Sequence, residues 1–141
     1  MTAGYSGTPL PRKLGIKAGN RVLVTGAPAR FLEENLAGLP DAVTLHVRPS
    51  SSAYDVVVMF VRSADELHRK FAAATGRISS SGRLWVAWPR KAGGYASDVC
   101  ENAIRDLALA TGLVDNKVAA FSDAWSGLQV VYRLKDRPAL G

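Results

Sequence analysis

Asp55-Val56-Val57-Val58-Met59-Phe60-Val61 decides the fold. After its aspartate the stretch is apolar without alternation. A strand with one face in water would alternate, so this one should be covered on both faces, as in a parallel sheet between two helical layers. Its flanks support that reading. Downstream, Ser63-Ala64-Asp65-Glu66 has the serine and glutamate of a capping box, and Leu67, Phe71 and Ala74 give the helix it opens an apolar face. Upstream, Arg48-Pro49-Ser50-Ser51-Ser52-Ala53-Tyr54 carries no helical pattern and reads as a link.

Working outward, Arg21-Val22-Leu23-Val24-Thr25 reads as the first strand, stopped by Gly26-Ala27-Pro28, with a helix over 28–37 and a second strand over 43–47. A fourth strand is expected over 83–88. A third helix follows, capped by Ser97 and carrying Val99, Ala103, Leu107 and Ala110. A hairpin over 117–121 and 128–134, turning through 122–127, closes the chain. The expected order is β-α-β-β-α-β-α-β-β. This is an α/β, single-domain, three-layer Rossmann-like arrangement over 13–135 with three main helices, an irregular arm over 1–12 and a tail over 136–141. The seven-residue link between strands two and three is short for a parallel crossover, which usually needs a dozen residues or more. Fully extended it reaches roughly 23–25 Å, enough to return along a five-residue strand. An extended crossover is expected, with an antiparallel second strand as the alternative.

The chain has 141 residues, with 48% apolar and 21% charged residues, the composition of one globular domain able to bury a core unaided. The longest aliphatic–aromatic run, Val56 to Val61, is far below the roughly 20 residues that span a bilayer. The first residues have no apolar core of the secretory kind, and Cys100 is the only cysteine, so a reducing, cytoplasmic setting without membrane contact is expected. The net charge of +6 is spread along the chain and is carried mostly by arginine. It is either a solvated surface or an attraction for an anion.

Two resemblances enter on particular residues. Gly4-Tyr5-Ser6-Gly7-Thr8-Pro9-Leu10, Lys13-Leu14-Gly15-Ile16-Lys17, Leu84-Trp85-Val86-Ala87-Trp88-Pro89, Gly112-Leu113-Val114-Asp115-Asn116-Lys117-Val118 and Trp125-Ser126-Gly127-Leu128 span nearly the whole length. In these the chain resembles an actinobacterial domain-of-unknown-function family, which implies no particular activity. More distantly, Gly19-Asn20-Arg21-Val22-Leu23-Val24-Thr25-Gly26, Tyr54-Asp55-Val56-Val57-Val58 and Ser81-Gly82-Arg83-Leu84-Trp85-Val86 resemble strand segments of S-adenosylmethionine-dependent methyltransferases. One helix–strand pair of that fold is missing. The resemblance implies a mostly parallel six-stranded sheet in the order 2-1-3-4-6-5, with the last strand antiparallel.

The chain departs from the methyltransferase pattern where the cofactor would sit. After the first strand comes Gly26-Ala27-Pro28-Ala29-Arg30, with one glycine and then a proline that removes an N–H donor. Where an acidic residue would accept ribose hydroxyls stands Arg48, whose guanidinium only donates. No cofactor is therefore expected, S-adenosylmethionine included.

In an open parallel sheet, ligands bind beyond the carboxyl ends of the strands where strand order reverses. The residues expected there are Thr25, Gly26, Arg48, Arg62, Trp88, Arg90, Lys91 and Trp125, a set suited to an anionic ligand. Each also has a packing or solvation role open to it. Trp85 and Trp88 point to opposite faces, so at least one belongs to the core. No catalytic or metal-binding constellation is visible: His46 and His68 are apart, and Cys100 has no predicted histidine beside it. The reading is a non-catalytic binding module for a small anion, nucleotide or protein partner. A reduced methyltransferase or a nucleic-acid-binding protein is the alternative, and monomer and homodimer both stay open.

Overall fold

Strand β3 (Tyr54–Phe60) lies inside a six-stranded sheet with β1 (Arg21–Thr25) on one side and β4 (Ile78–Pro89) on the other. The computed structural model describes residues 9–50, 52–90 and 99–133. Strands β2 (Thr44–His46), β5 (Leu113–Ala120) and β6 (Trp125–Tyr132) complete the order β2-β1-β3-β4-β6-β5, as expected. β1 pairs in parallel with β2 and β3, and β3 with β4, whereas β6 is antiparallel to both β4 and β5. One reversed strand placed inside the sheet makes two of its five interfaces antiparallel. The sheet is therefore mixed rather than mostly parallel. The second strand is parallel, so the antiparallel alternative does not hold.

Helices α1 (Leu10–Lys13) and α2 (Phe31–Asn35) cover one face, and α3 (Ala64–Thr75) and α4 (Glu101–Ala110) the other. Among the described residues these are four helices, not three. The additional one, α1, buries Leu10 and Pro11, so the expected irregular arm gives way to packed chain before residue 12. α2 is shorter than expected because its N-cap, Arg30, has φ 68°, which sets Pro28 and Ala29 outside the helix in a preceding turn. α4 starts at Glu101 with Cys100 as N-cap; the expected cap, Ser97, lies outside the described residues.

β4 begins five residues earlier than its apolar pattern suggests. Its register against β3 jumps from Tyr54↔Ile78 to Val56↔Arg83, so Ser79-Ser80-Ser81-Gly82 is a bulge within the strand. Glycine is required at its end: a Cβ on Gly82 would stand 3.0 Å from the carbonyl oxygens of both Tyr54 and Asp55.

Alternation along each strand divides the core. Leu23, Val57, Met59, Leu84 and Val86 face α3 and α4, while Val22, Val24, Val58, Phe60 and Trp85 face α1 and α2. On the second face five aromatic residues interlock. Phe60 meets Phe31 at 4.8 Å and Trp125 at 5.0 Å between ring centroids, both edge-on, and Trp85 meets Phe121 at 5.5 Å. Trp85 Nε1–H also donates to Leu14 O at 3.1 Å, fastening α1 and its following turn to the sheet.

The link from β2 to β3 is held by a hub rather than a helix. The buried Tyr54 hydroxyl accepts from Ser50 N–H at 2.9 Å, donates to Ser50 Oγ at 3.1 Å and lies 2.7 Å from His46 Nδ1. Arg21 spans the same segment, donating to Ser50 Oγ at 2.8 Å and Ala53 O at 3.1 Å, with its guanidinium 4.9 Å from the Tyr54 ring centroid. Tyr54→Phe strips the partner from the Ser50 amide and should lower unfolding free energy by about 1–3 kcal/mol, read from urea melts with an unchanged denaturant slope.

Candidate functional site: the carboxyl edge of the sheet

Strands β1 to β4 end on one edge. Because β5 runs parallel to them, the turn between β5 and β6 lies on that edge too. Arg48, Arg62 and Arg90 follow β2, β3 and β4. With about 4.8 Å between neighbouring strands, Arg62 and Arg90 leave adjacent strands, while Arg48 stands two strands from Arg62.

The structure joins three of the expected residues. The Arg62 guanidinium carbon lies 5.1 Å from the centroid of the Trp125 ring. Trp125 pairs with Pro89 across the β4–β6 ladder, one residue from Arg90. Arg90 is clamped to the same turn, its backbone N–H donating to Ala124 O at 2.8 Å and its Nη1 to Ser122 O at 3.3 Å. Trp125 itself is only 2% exposed, so it supports Arg62 and leaves almost no ring surface to a ligand. Trp88 is half-buried against the core on the α3–α4 face, away from Trp125. Arg48 is exposed, and Lys91 lies outside the described residues.

Thr25 and Gly26 part company because consecutive residues face opposite sides. Gly26, with Pro28 and Val47, lines a cavity of about 230 Å³ on the α2 side; Thr25, with Pro49, lines one of about 320 Å³ on the α3 side. Gly26 has φ 72°, and a Cβ there would approach Phe60 O to 2.9 Å, so the chain leaving β1 is folded tightly against β3. A third cavity, about 380 Å³, lies between α2 and the β5–β6 turn and carries Glu34 and Asp123, which disfavours an anion there.

The α3 start borders Arg62. Ser63 Oγ accepts from Glu66 N–H at 3.1 Å, as the capping pattern requires. The Glu66 carboxylate reaches one residue further than a capping box would, accepting from Arg62 N–H at 2.7 Å and from Lys70 Nζ at 2.8 Å. Burial by itself would raise the Glu66 pKa, but the bonds from Lys70 and Arg62 and their positive charge outweigh it and hold the carboxyl below its ordinary 4.5. Reasoning from sequence found Ser63 and Glu66 but missed the His46–Tyr54 pair. A tyrosine ending a helix-free link, eight residues after a histidine, was the available signal.

These features define a class: a Rossmann-like sheet of the methyltransferase type. Magnesium protoporphyrin IX methyltransferase from Synechocystis PCC 6803, with bound SAH, is similar with a TM-score of 0.55 at 13% identity, over 88% of this chain and 78% of that one. A SAM-dependent methyltransferase from Aquifex aeolicus gives 0.57 at 14%, over 86% of each chain. A protein of the NADB-Rossmann superfamily from Streptococcus agalactiae gives 0.53 at 13%, over 98% of this chain and 75% of that one. At such identities the likeness is one of fold. No curated protein matches the sequence. The chain belongs to the family described as protein of unknown function (DUF3052), which it matches over residues 30–134. Among the described residues, no helix is long and apolar enough to cross a membrane.

The depressed Glu66 pKa has a definite sign for stability. Its contribution is full above the pKa of the unfolded carboxyl and is lost as pH falls through the lower folded value. Glu66→Gln should therefore be less stable than the parent near pH 7, and the gap should close as pH falls through the depressed folded pKa, as measured by denaturant midpoints.

Proposed function

We propose that the protein is a non-catalytic, Rossmann-like binding module whose carboxyl edge takes a small anion or nucleotide. The observation that carries this is the Arg62 guanidinium carbon 5.1 Å from the centroid of the buried Trp125 ring. An arginine held over an aromatic face carries its charge at a fixed place and loses little freedom on binding an anion. Arg90, clamped to the adjoining turn, and Arg48, further along the edge, add cations of the same sign.

The local chemistry speaks against the cofactor of the methyltransferase relatives of this fold. The tight Gly26 turn, the Pro28 that follows and the donor-only Arg48 leave neither a glycine-rich cradle nor an acceptor for ribose hydroxyls. His46 is engaged by Tyr54, and no group of three or more His, Cys, Asp or Glu residues among the described residues could hold a metal ion. The strand order keeps a reduced methyltransferase as the second reading.

Calorimetry with ADP and with S-adenosylhomocysteine separates the two. ADP should bind, and Arg62→Ala should weaken it about tenfold or more, the loss of one charge-assisted contact. Micromolar binding of S-adenosylhomocysteine would overturn this reading in favour of the methyltransferase. Retention on DNA that falls steeply with salt would overturn it in favour of nucleic acid.

A further inference from the structure

We infer that the cleft between α3 and the β1–β3 face binds a small amphiphilic anion, a carboxylate on a short apolar chain. The inference is independent of the edge arginines and concerns the other side of Thr25. The cleft exists because the β2–β3 link carries no helix. A parallel sheet is ordinarily covered by helices on both faces, yet beside α3 the crossover contributes Pro49 and, among its described residues, no helix. What remains is a cavity of about 320 Å³, at the lower end of the roughly 300–1,000 Å³ of small-molecule sites.

Its lining has two chemistries. Leu23, Val57 and Met59 form an apolar floor and are each no more than 2% exposed. The α3 flank supplies Arg69, Lys70 and, one residue beyond its C-cap, Arg77. Between these cations stands the small side chain of Ala73. Long Arg and Lys stems cover apolar surface while their charged heads stay at the water boundary, so this wall can shift to admit a chain and then hold its acidic end.

The acidic groups facing these cations are Asp65, 2.8 Å from Arg69, and Glu66, 2.8 Å from Lys70, both one helical turn back. Arg77 makes no side-chain hydrogen bond or ion pair among the described residues, so its donors are those a carboxylate would meet first. The cleft suits a small molecule better than a partner's helix, because its floor is already sealed from water rather than presented as an open face.

Octanoate tests this, with octanol as the uncharged control and acetate as the tail-less one. Octanoate should shift the amide resonances of Thr25, Met59 and Ala73, whereas octanol and acetate at equal concentration should not. Arg77→Gln should weaken octanoate at least about fivefold, as expected for one charge-assisted bond. Ala73→Phe, at an exposed helix position, should fill the cleft and abolish the shifts while leaving the melting curve cooperative. Arg62→Ala should leave octanoate binding unchanged, which separates this site from the edge site. Absence of octanoate shifts, equal shifts with octanol, or full binding by both cleft variants would overturn the inference.

Discussion

The fold depends on how its shortest crossover is anchored. β2 and β3 are parallel, with β1 between them, and seven residues must carry the chain back from one end of the sheet to the other. A link outside helix and ladder leaves backbone polar groups without regular partners, so side chains must supply them. The Tyr54 hydroxyl and the Arg21 guanidinium do so, reaching the backbone or side chains of Ser50 and Ala53 from positions at the N-terminal ends of β3 and β1. Asp55 completes the arrangement by accepting from the Arg21 backbone N–H at 2.8 Å. A charged, aromatic and hydroxyl cluster thus takes over the geometric role of a helix. Without that helix, one side of the sheet keeps space beside α3.

The same economy shapes the carboxyl edge. In this architecture the turn after the first strand and the residue ending the second determine what an open α/β sheet can hold. Here the turn is pressed onto β3 through Gly26, and the second strand leads to an arginine. Likeness of fold to the methyltransferases therefore coexists with an edge of different chemistry. Its fixed feature is a guanidinium resting on a tryptophan that itself belongs to the aromatic core.

Much of this could be read in the residues. The unbroken Val56–Val61 run placed β3 in the interior, and Ser63 with Glu66 marked the α3 start, because burial and capping leave local signatures. The opposite orientation of Trp85 and Trp88 followed from strand periodicity. What stayed hidden depended on tertiary context. The strand expected from residue 83 begins at Ile78, because pairing with β3 takes in the small or polar residues Ser79 to Gly82 as a bulge. The left-handed Arg30 shortened α2, and no local rule assigns that conformation to an arginine. Three arginines on one edge were legible; that Trp125 would be buried beneath one of them was not. The α3 cleft had left a trace, since Arg69, Lys70, Ala73 and Arg77 flank the apolar stripe beside a link without a helix.

The position of β6 has a consequence for biogenesis. It follows β5 in the chain yet sits between β5 and β4, so during synthesis β5 emerges with no neighbour to pair with. Until Trp125–Tyr132 has left the ribosome, β4 presents an apolar, unpaired margin along Leu84 to Pro89. Nascent chains halted before that point would be prone to self-association, and the sheet should close late, in a single cooperative event.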